Sequence, residues 1–124
     1  MQGNELTGVV IGAAIEVHRA LGPGLLESAY HECLLHELRL QKIPYEHEVP
    51  IYVDYKGLIV GDAYRADLLV GGRLIVELKS VEQVNAVHKA QLLTYLRLMN
   101  KSLGLLINFN TAVLKDGVCR VANN

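Results

Sequence analysis

The sequence predicts an α/β (α+β) domain, a mixed β-sheet flanked by helices. Three observations carry that prediction. The chain opens with two stretches of helical periodicity, and alternating segments punctuated by tight turns follow them. A single later helical stretch then precedes residues 102–109, which are nearly all apolar (Leu103, Leu105, Leu106, Ile107) and read as a strand covered on both faces. Finally, 124 residues at 51% hydrophobic content suffice for one domain, taken as 1–124, with a single core and no disulfide or metal staple.

Each element has its own signal. Leu6, Val9, Val10, Ala13, Ala14, Val17 and Leu21 recur at helical spacing and predict a helix over 5–21, with Asn4 or Thr7 as its cap. Gly22-Pro23-Gly24 breaks it. A second helix over 26–41 carries the stripe Leu26, Tyr30, Leu34, Leu38, and Ile43-Pro44 ends it. Val49, Ile51, Val53 and Tyr55 then alternate with Pro50, Tyr52 and Asp54, a strand over 49–55. Lys56-Gly57 turns the chain into a longer strand over 58–70, bent at Gly61-Asp62. Gly71-Gly72 turns it again into a third strand over 73–80. The helix over 84–100 places Val87, Leu92, Tyr95, Leu96 and Met99 against the core, and a last hairpin runs through Lys115-Asp116-Gly117 to Val121.

Composition excludes several classes. No apolar run reaches membrane-spanning length, and the run over 6–15 lacks a basic segment ahead of it, so it is not a secretory signal. Cys33 and Cys119, without zinc-like spacing, read as reduced thiols of a cytoplasmic protein. A net charge of -1 is a poor footprint for a dedicated nucleic-acid binder. The basic residues Arg19, Arg65, Arg73, Lys89, Arg97 and Lys101 are scattered, so phosphate contacts would be few and salt-sensitive.

Chemistry concentrates between Asp67 and Lys79. Glu77 and Lys79 are two apart on one strand and share a face, while Leu74, Val76 and Leu78 take the other. Asp67 lies on the partner strand. A two-residue turn at Gly71-Gly72 pairs it with Val76, on the wrong face; a three-residue turn or a bulge pairs it with Glu77. The second register is adopted here. Two carboxylates so placed repel unless a cation intervenes, and their oxygens suit Mg²⁺ or Mn²⁺. With Lys79 beside them they make a site for phosphodiester hydrolysis. Taken alone, an alternating Glu-x-Lys is also the pattern of a solvated strand face with a weak ion pair. Elsewhere, Glu27 at a helix start reads equally as a charge favoured by the macrodipole. His88, Gln91 and Tyr95 form a polar strip on the third helix; His88 reads as a satisfied histidine rather than a ligand.

Gly24-Leu25-Leu26-Glu27-Ser28-Ala29-Tyr30 resembles the signature of the bacterial GxxExxY proteins, a family of the PD-(D/E)XK nuclease superfamily. The similarity extends from Ile15 to Arg120 through Tyr55-Lys56-Gly57, Arg65-Ala66-Asp67, Glu77-Leu78-Lys79, His88-Lys89-Ala90-Gln91 with Tyr95, and residues 104–109. The resemblance implies a restriction-endonuclease-like core and a Mg²⁺- or Mn²⁺-dependent nuclease acting on nucleic acid, with DNA as the substrate class. It implies that Asp67 and Glu77 bind the metal with Glu27, that Lys79 is the catalytic lysine, and that Gln91 and Tyr95 support the site in the manner of a Gln-x-x-x-Tyr motif. The Leu78 carbonyl is placed in the same metal shell. Ala66 stands where the superfamily's name has proline.

Two other readings compete. The chain is an interaction module or subunit on a nuclease-like fold, since fold alone does not carry function. Tyr45, Ile51 and Tyr52 would then form an exposed surface for a homodimer. Or it hydrolyses another phosphoester.

Overall fold

The computed structural model describes residues 1–124. The elements are α1 (Gly3–Leu21), α2 (Glu27–Leu40), β1 (Tyr45–Tyr55), β2 (Leu58–Val70), β3 (Leu74–Lys79), α3 (Ala86–Met99), β4 (Leu103–Asn108), a short 3₁₀ turn (Leu114–Gly117) and β5 (Val118–Ala122). The five strands form one sheet in the order β1-β2-β3-β4-β5. β3 and β4 are parallel and α3 crosses between them; every other neighbouring pair is antiparallel. This is the mixed, helix-flanked sheet that the sequence predicts.

The sheet is covered on both faces. Leu68, Val70, Leu74, Val76, Leu78, Leu105 and Ile107 pack against α1 and α2 in the larger core cluster. Ile51, Ala66, Leu69, Ile75 and Leu106 pack against Leu92, Tyr95 and Leu96 of α3 in the smaller one. β4 is buried from Gly104 to Asn108, as its unbroken apolar run requires.

Differences from the sequence reading have local causes. α1 begins at Gly3, with Gln2 as its cap residue; the Gln2 N–H donates to Glu5 Oε1 at 3.4 Å. Neither Asn4 nor Thr7 caps it, and Thr7 is buried with its hydroxyl donating to the Gly3 carbonyl at 2.9 Å. β1 starts at Tyr45 rather than Val49, because Tyr45, Glu46 and His47 pair with Val70, Leu69 and Leu68 although their polar side chains show no alternation. Ile51 is only 1% exposed, since α3 covers that face of β1, and Tyr45 is half-buried and accepts from Arg39 Nη1 at 2.7 Å. Only Tyr52 of the three residues expected on a free surface is exposed. The chain end forms no separate hairpin: β5 pairs directly with β4 after the 3₁₀ turn.

Both predicted turns form. Lys56 and Gly57, at φ 51° and 91°, close a two-residue loop between paired Tyr55 and Leu58. The β1–β2 register shifts between Ile51 and Val53, at the bend predicted around Gly61-Asp62, where Asp62 has φ 59°.

Candidate active site

Three residues, Gly71, Gly72 and Arg73, separate the paired Val70 and Leu74. The three-residue turn is therefore the one formed, and Gly71 and Gly72 meet its demand for positive φ at 60° and 69°. Pairing runs from Val70↔Leu74 to Leu68↔Val76, and the next step would set Asp67 against Glu77.

At that step side chains replace the ladder. The Asp67 N–H donates to Glu77 Oε2 at 2.8 Å, and the Leu78 N–H donates to Asp67 Oδ2 at 2.7 Å. On its other side Asp67 is released as well. His47 pairs with Leu68 and Val49 with Ala66, while Glu48, which would face Asp67, adopts φ 51° and drops out. β2 changes face here: Ala66 joins the α3 core and Leu68 the α1–α2 core, although residues two apart on a regular strand share a face. Asp67 sits at the pivot.

Leu78 adds a further donor. Its N–H points toward β2, and in an antiparallel pair the N–H and C=O of one residue point to the same side. Its carbonyl therefore faces the gap left where the β2–β3 ladder stops.

The electrostatics are unbalanced. Glu77 is 6% exposed, and burial followed by the charge of Asp67 pushes its carboxyl up to about 9. Lys79 opposes this shift, but it takes no part in the molecule's ion pairs, Arg19–Glu16 and Arg65–Asp62, or in the His31–Glu48 contact. The carboxyl of Glu27, on the first turn of α2, is raised by partial desolvation and then by the charge of Asp67, with Lys79 and His31 opposing the rise. Glu27, Asp67, Glu77 and Lys79 thus share one electrostatic neighbourhood.

The segment Gly24 to Tyr30 explains how Glu27 reaches it. The Tyr30 ring is fully buried and stacks on Phe109, with centroids 4.4 Å apart and planes 7° apart. Its hydroxyl donates to the Gly22 carbonyl at 2.6 Å and accepts from the Leu25 N–H at 3.1 Å. The Ser80 hydroxyl, one residue past β3, donates to the Leu25 carbonyl at 2.6 Å. The start of α2 is thereby fastened to the end of the strand that carries Glu77 and Lys79. On the far side, Asn108 holds Val81 through its amide, accepting from the Val81 N–H at 3.1 Å and donating to its carbonyl at 2.9 Å.

α3 carries Gln91 and Tyr95 into a groove shared with Val53, Tyr64, Thr94 and Leu98. The Tyr95 phenol is raised first by burial and then by the charges of Glu77, Tyr64 and Asp67. His88 is used locally: its N–H donates to Asn85 Oδ1 at 3.1 Å and its Nδ1 accepts from the Asn85 N–H at 3.2 Å, capping α3. That is the satisfied histidine expected.

Two neighbours of the site carried no sequence signal of their role. His31, one turn after Glu27, lies 3.7 Å through Nδ1 from Glu48 Oε1, and its buried Nε2 has no partner. The spacing of Glu27 and His31 is legible, but the left-handed backbone of Glu48 is not, because glutamate does not advertise it.

No three His, Cys, Asp or Glu side chains converge closely enough to hold a metal ion. The donor set that fits a hard divalent cation is instead the Asp67–Glu77 pair, each with one oxygen already fixed by a main-chain N–H, together with the Leu78 carbonyl. Glu27 stands beside this set, coupled to Asp67 by charge.

No helix is long and apolar enough to cross a membrane. Comparison with curated proteins gives no match. A family model for the PD-(D/E)XK nuclease superfamily matches residues 4–121, nearly the whole chain, and the chain belongs to that superfamily.

Proposed function

We propose that this protein is a nuclease that uses Mg²⁺ or Mn²⁺ to hydrolyse phosphodiester bonds, with DNA as its substrate class. The observation that carries the reading is the Asp67–Glu77 pair: two carboxylates brought together where a ladder stops, one of them buried, with no cation within ion-pair distance of either. Such a pair is costly unless positive charge is supplied.

Asp67, Glu77 and the Leu78 carbonyl would hold the cation, and Glu27 would complete the acidic rim. A bound divalent cation supplies Lewis acidity and lowers the pKa of water enough to make a nucleophile near neutral pH. Lys79, held on the same strand face as Glu77, orients the attacking water and offsets charge developing on the phosphoryl oxygens. Gln91 and Tyr95 brace the carboxylates from α3 or contact the backbone of the substrate.

The test combines calorimetric titration with Mg²⁺ and Mn²⁺, on wild type and Asp67→Ala, with cleavage assays on single-stranded, duplex and branched DNA. Metal binding lost in the variant, with metal-dependent cleavage in the wild type, supports the proposal. No metal binding at millimolar concentration sinks it for this chain.

One observation favours a second reading, an interaction module that pairs with another copy. The outer part of the β1–β2 hairpin exposes Tyr52, Tyr55, Leu58 and Ile59. A dissociable homodimer without cleavage, detected by sedimentation, would support it.

A further inference from the structure

The groove beside Tyr95 is not accounted for by hydrolysis at the carboxylates. Its volume is about 370 Å³, and its walls are Val53 and Tyr64 from the hairpin and Gln91, Thr94, Tyr95 and Leu98 from α3. The Tyr64 and Tyr95 rings are tilted at 55° with centroids 6.2 Å apart, and Tyr64 is 46% exposed. The groove is therefore mostly apolar and aromatic, with the Gln91 amide, the Thr94 hydroxyl and the two phenol hydroxyls for hydrogen bonding. Tyr64 lies three residues before Asp67 on β2, about 10 Å along the strand, within reach of a nucleotide next to the one being cut.

We propose that this groove is a nucleobase site, in which an unpaired base flanking the scissile phosphate stacks on Tyr64 and meets the Thr94 hydroxyl at its edge. The inference rests on the nuclease reading for its biological setting, but the binding it predicts does not need cleavage. The wall that receives the base is aromatic, and a stacking wall needs the face of a base, which a duplex keeps covered by neighbouring pairs. Charge argues the same way. The chain carries a net charge of -1, and the nearest cation on this stretch of β2, Arg65, lies 4.0 Å from Asp62. Grip on a duplex backbone is correspondingly poor, whereas stacking adds affinity without requiring a basic surface. The substrate class is accordingly single-stranded, or a duplex with unpaired nucleotides at the cut.

The test is fluorescence anisotropy on the full chain in EDTA, where no cleavage occurs. The probes are a labelled DNA strand of about 12 nucleotides, its duplex, and the same strand with abasic residues. The expected result is tightest binding to the strand with bases, about tenfold weaker binding on Tyr64→Ala, and recovery in Tyr64→Phe, which keeps the ring. Circular dichroism verifies that the variants fold, as a half-exposed position allows. Equal binding of the abasic strand, an unchanged Tyr64→Ala, or a duplex preferred over the strand each overturns the proposal. So does self-association that Tyr64→Ala abolishes while strand binding is unaffected, which would give the groove to a second copy. Cleavage assays in Mg²⁺ separate the two readings: base-dependent binding without cleavage fells the nuclease and leaves this site, and cleavage indifferent to Tyr64 does the reverse.

Discussion

Asp67 and Glu77 are joined through the main chain: the N–H of Asp67 donates to the Glu77 carboxylate at 2.8 Å, while the Asp67 carboxylate accepts from the residue after Glu77, at 2.7 Å. Each acid thus occupies a hydrogen-bonding position that a regular ladder would have filled with backbone. The arrangement orients both carboxylates and leaves the strands parted where a cation and a phosphate would approach.

Glu77→Gln tests the electrostatic cost of this arrangement. The amide keeps the size and an acceptor for the Asp67 N–H, and replaces a buried carboxyl that must hold its proton in the folded chain at a pH where the unfolded chain has released it. In metal-free buffer at pH 8 the variant is expected to be more stable than wild type by about 1–2 kcal/mol, a rise of several degrees in Tm. Cation binding should weaken and cleavage fall on the order of 10²-fold or more. Scanning calorimetry in EDTA and a cleavage assay in Mg²⁺ report the two opposite effects.

The pH dependence of stability follows from the same residue. Folded, Glu77 keeps its proton up to about 9; unfolded, it releases it near 4.5. Between those values the folded state binds the extra proton, so metal-free stability is greatest below about 4.5 as far as this group is concerned and is lost as pH rises toward 9. The limiting slope is about 1.4 kcal/mol per pH unit. Urea unfolding at pH 5, 7 and 9 should show the decline in EDTA and a flatter profile in saturating Mg²⁺, which binds the folded, deprotonated pair.

Lys79→Met separates catalysis from binding. Methionine preserves the apolar stem and removes the ammonium that lowers the carboxyls of Glu77 and Glu27. Cation affinity is expected to be equal or tighter, since a competing positive charge is gone, while cleavage drops about 10²–10³-fold. Equal cleavage in the variant would remove Lys79 from the chemistry.

Tyr30→Phe tests how Glu27 is positioned. The stack on Phe109 survives, but the Gly22 carbonyl and the Leu25 N–H lose their shared partner. A loss of about 1–3 kcal/mol is expected from urea unfolding. Cleavage should fall several-fold at a temperature where the variant is fully folded, because the start of α2 is then held by the Ser80–Leu25 bond without the Tyr30 hydroxyl. Glu27→Gln, on an exposed turn, should lower cleavage with little change in unfolding.

Apolar spacing and turn chemistry made the helices and the succession of strands along the chain legible, and left the Asp67–Glu77 register open between two turns, of which the three-residue one forms. Leu74, Val76 and Leu78 marked one face of β3, and Glu77 and Lys79 the other. What it left obscure depends on distant partners. Glu46 and His47 belong to a strand only because Leu69 and Leu68 pair with them. Ile51 is buried only because α3 crosses its face. The change of face at Asp67 and the left-handed Glu48 arise from strand divergence, which no local spacing records. Gln91 and Tyr95 were visible as a polar strip, but not their companionship with Tyr64 and Val53 from the hairpin.

The register between β2 and β3 is fixed twice, by the three-residue turn and by the two apolar faces it aligns. Sliding one strand past the other by a single residue would turn Leu68, Val70 or their partners toward the wrong layer. The mutual placement of the two acids is therefore underwritten by the whole core and resists drift in the turn. The carboxyls themselves enjoy no such protection, since replacing Glu77 by a group that never ionises relieves the fold. Members of the superfamily that do not cut would be expected to keep this alignment intact and to discard the carboxylates, so they should be identifiable from one or two substitutions on an unaltered scaffold.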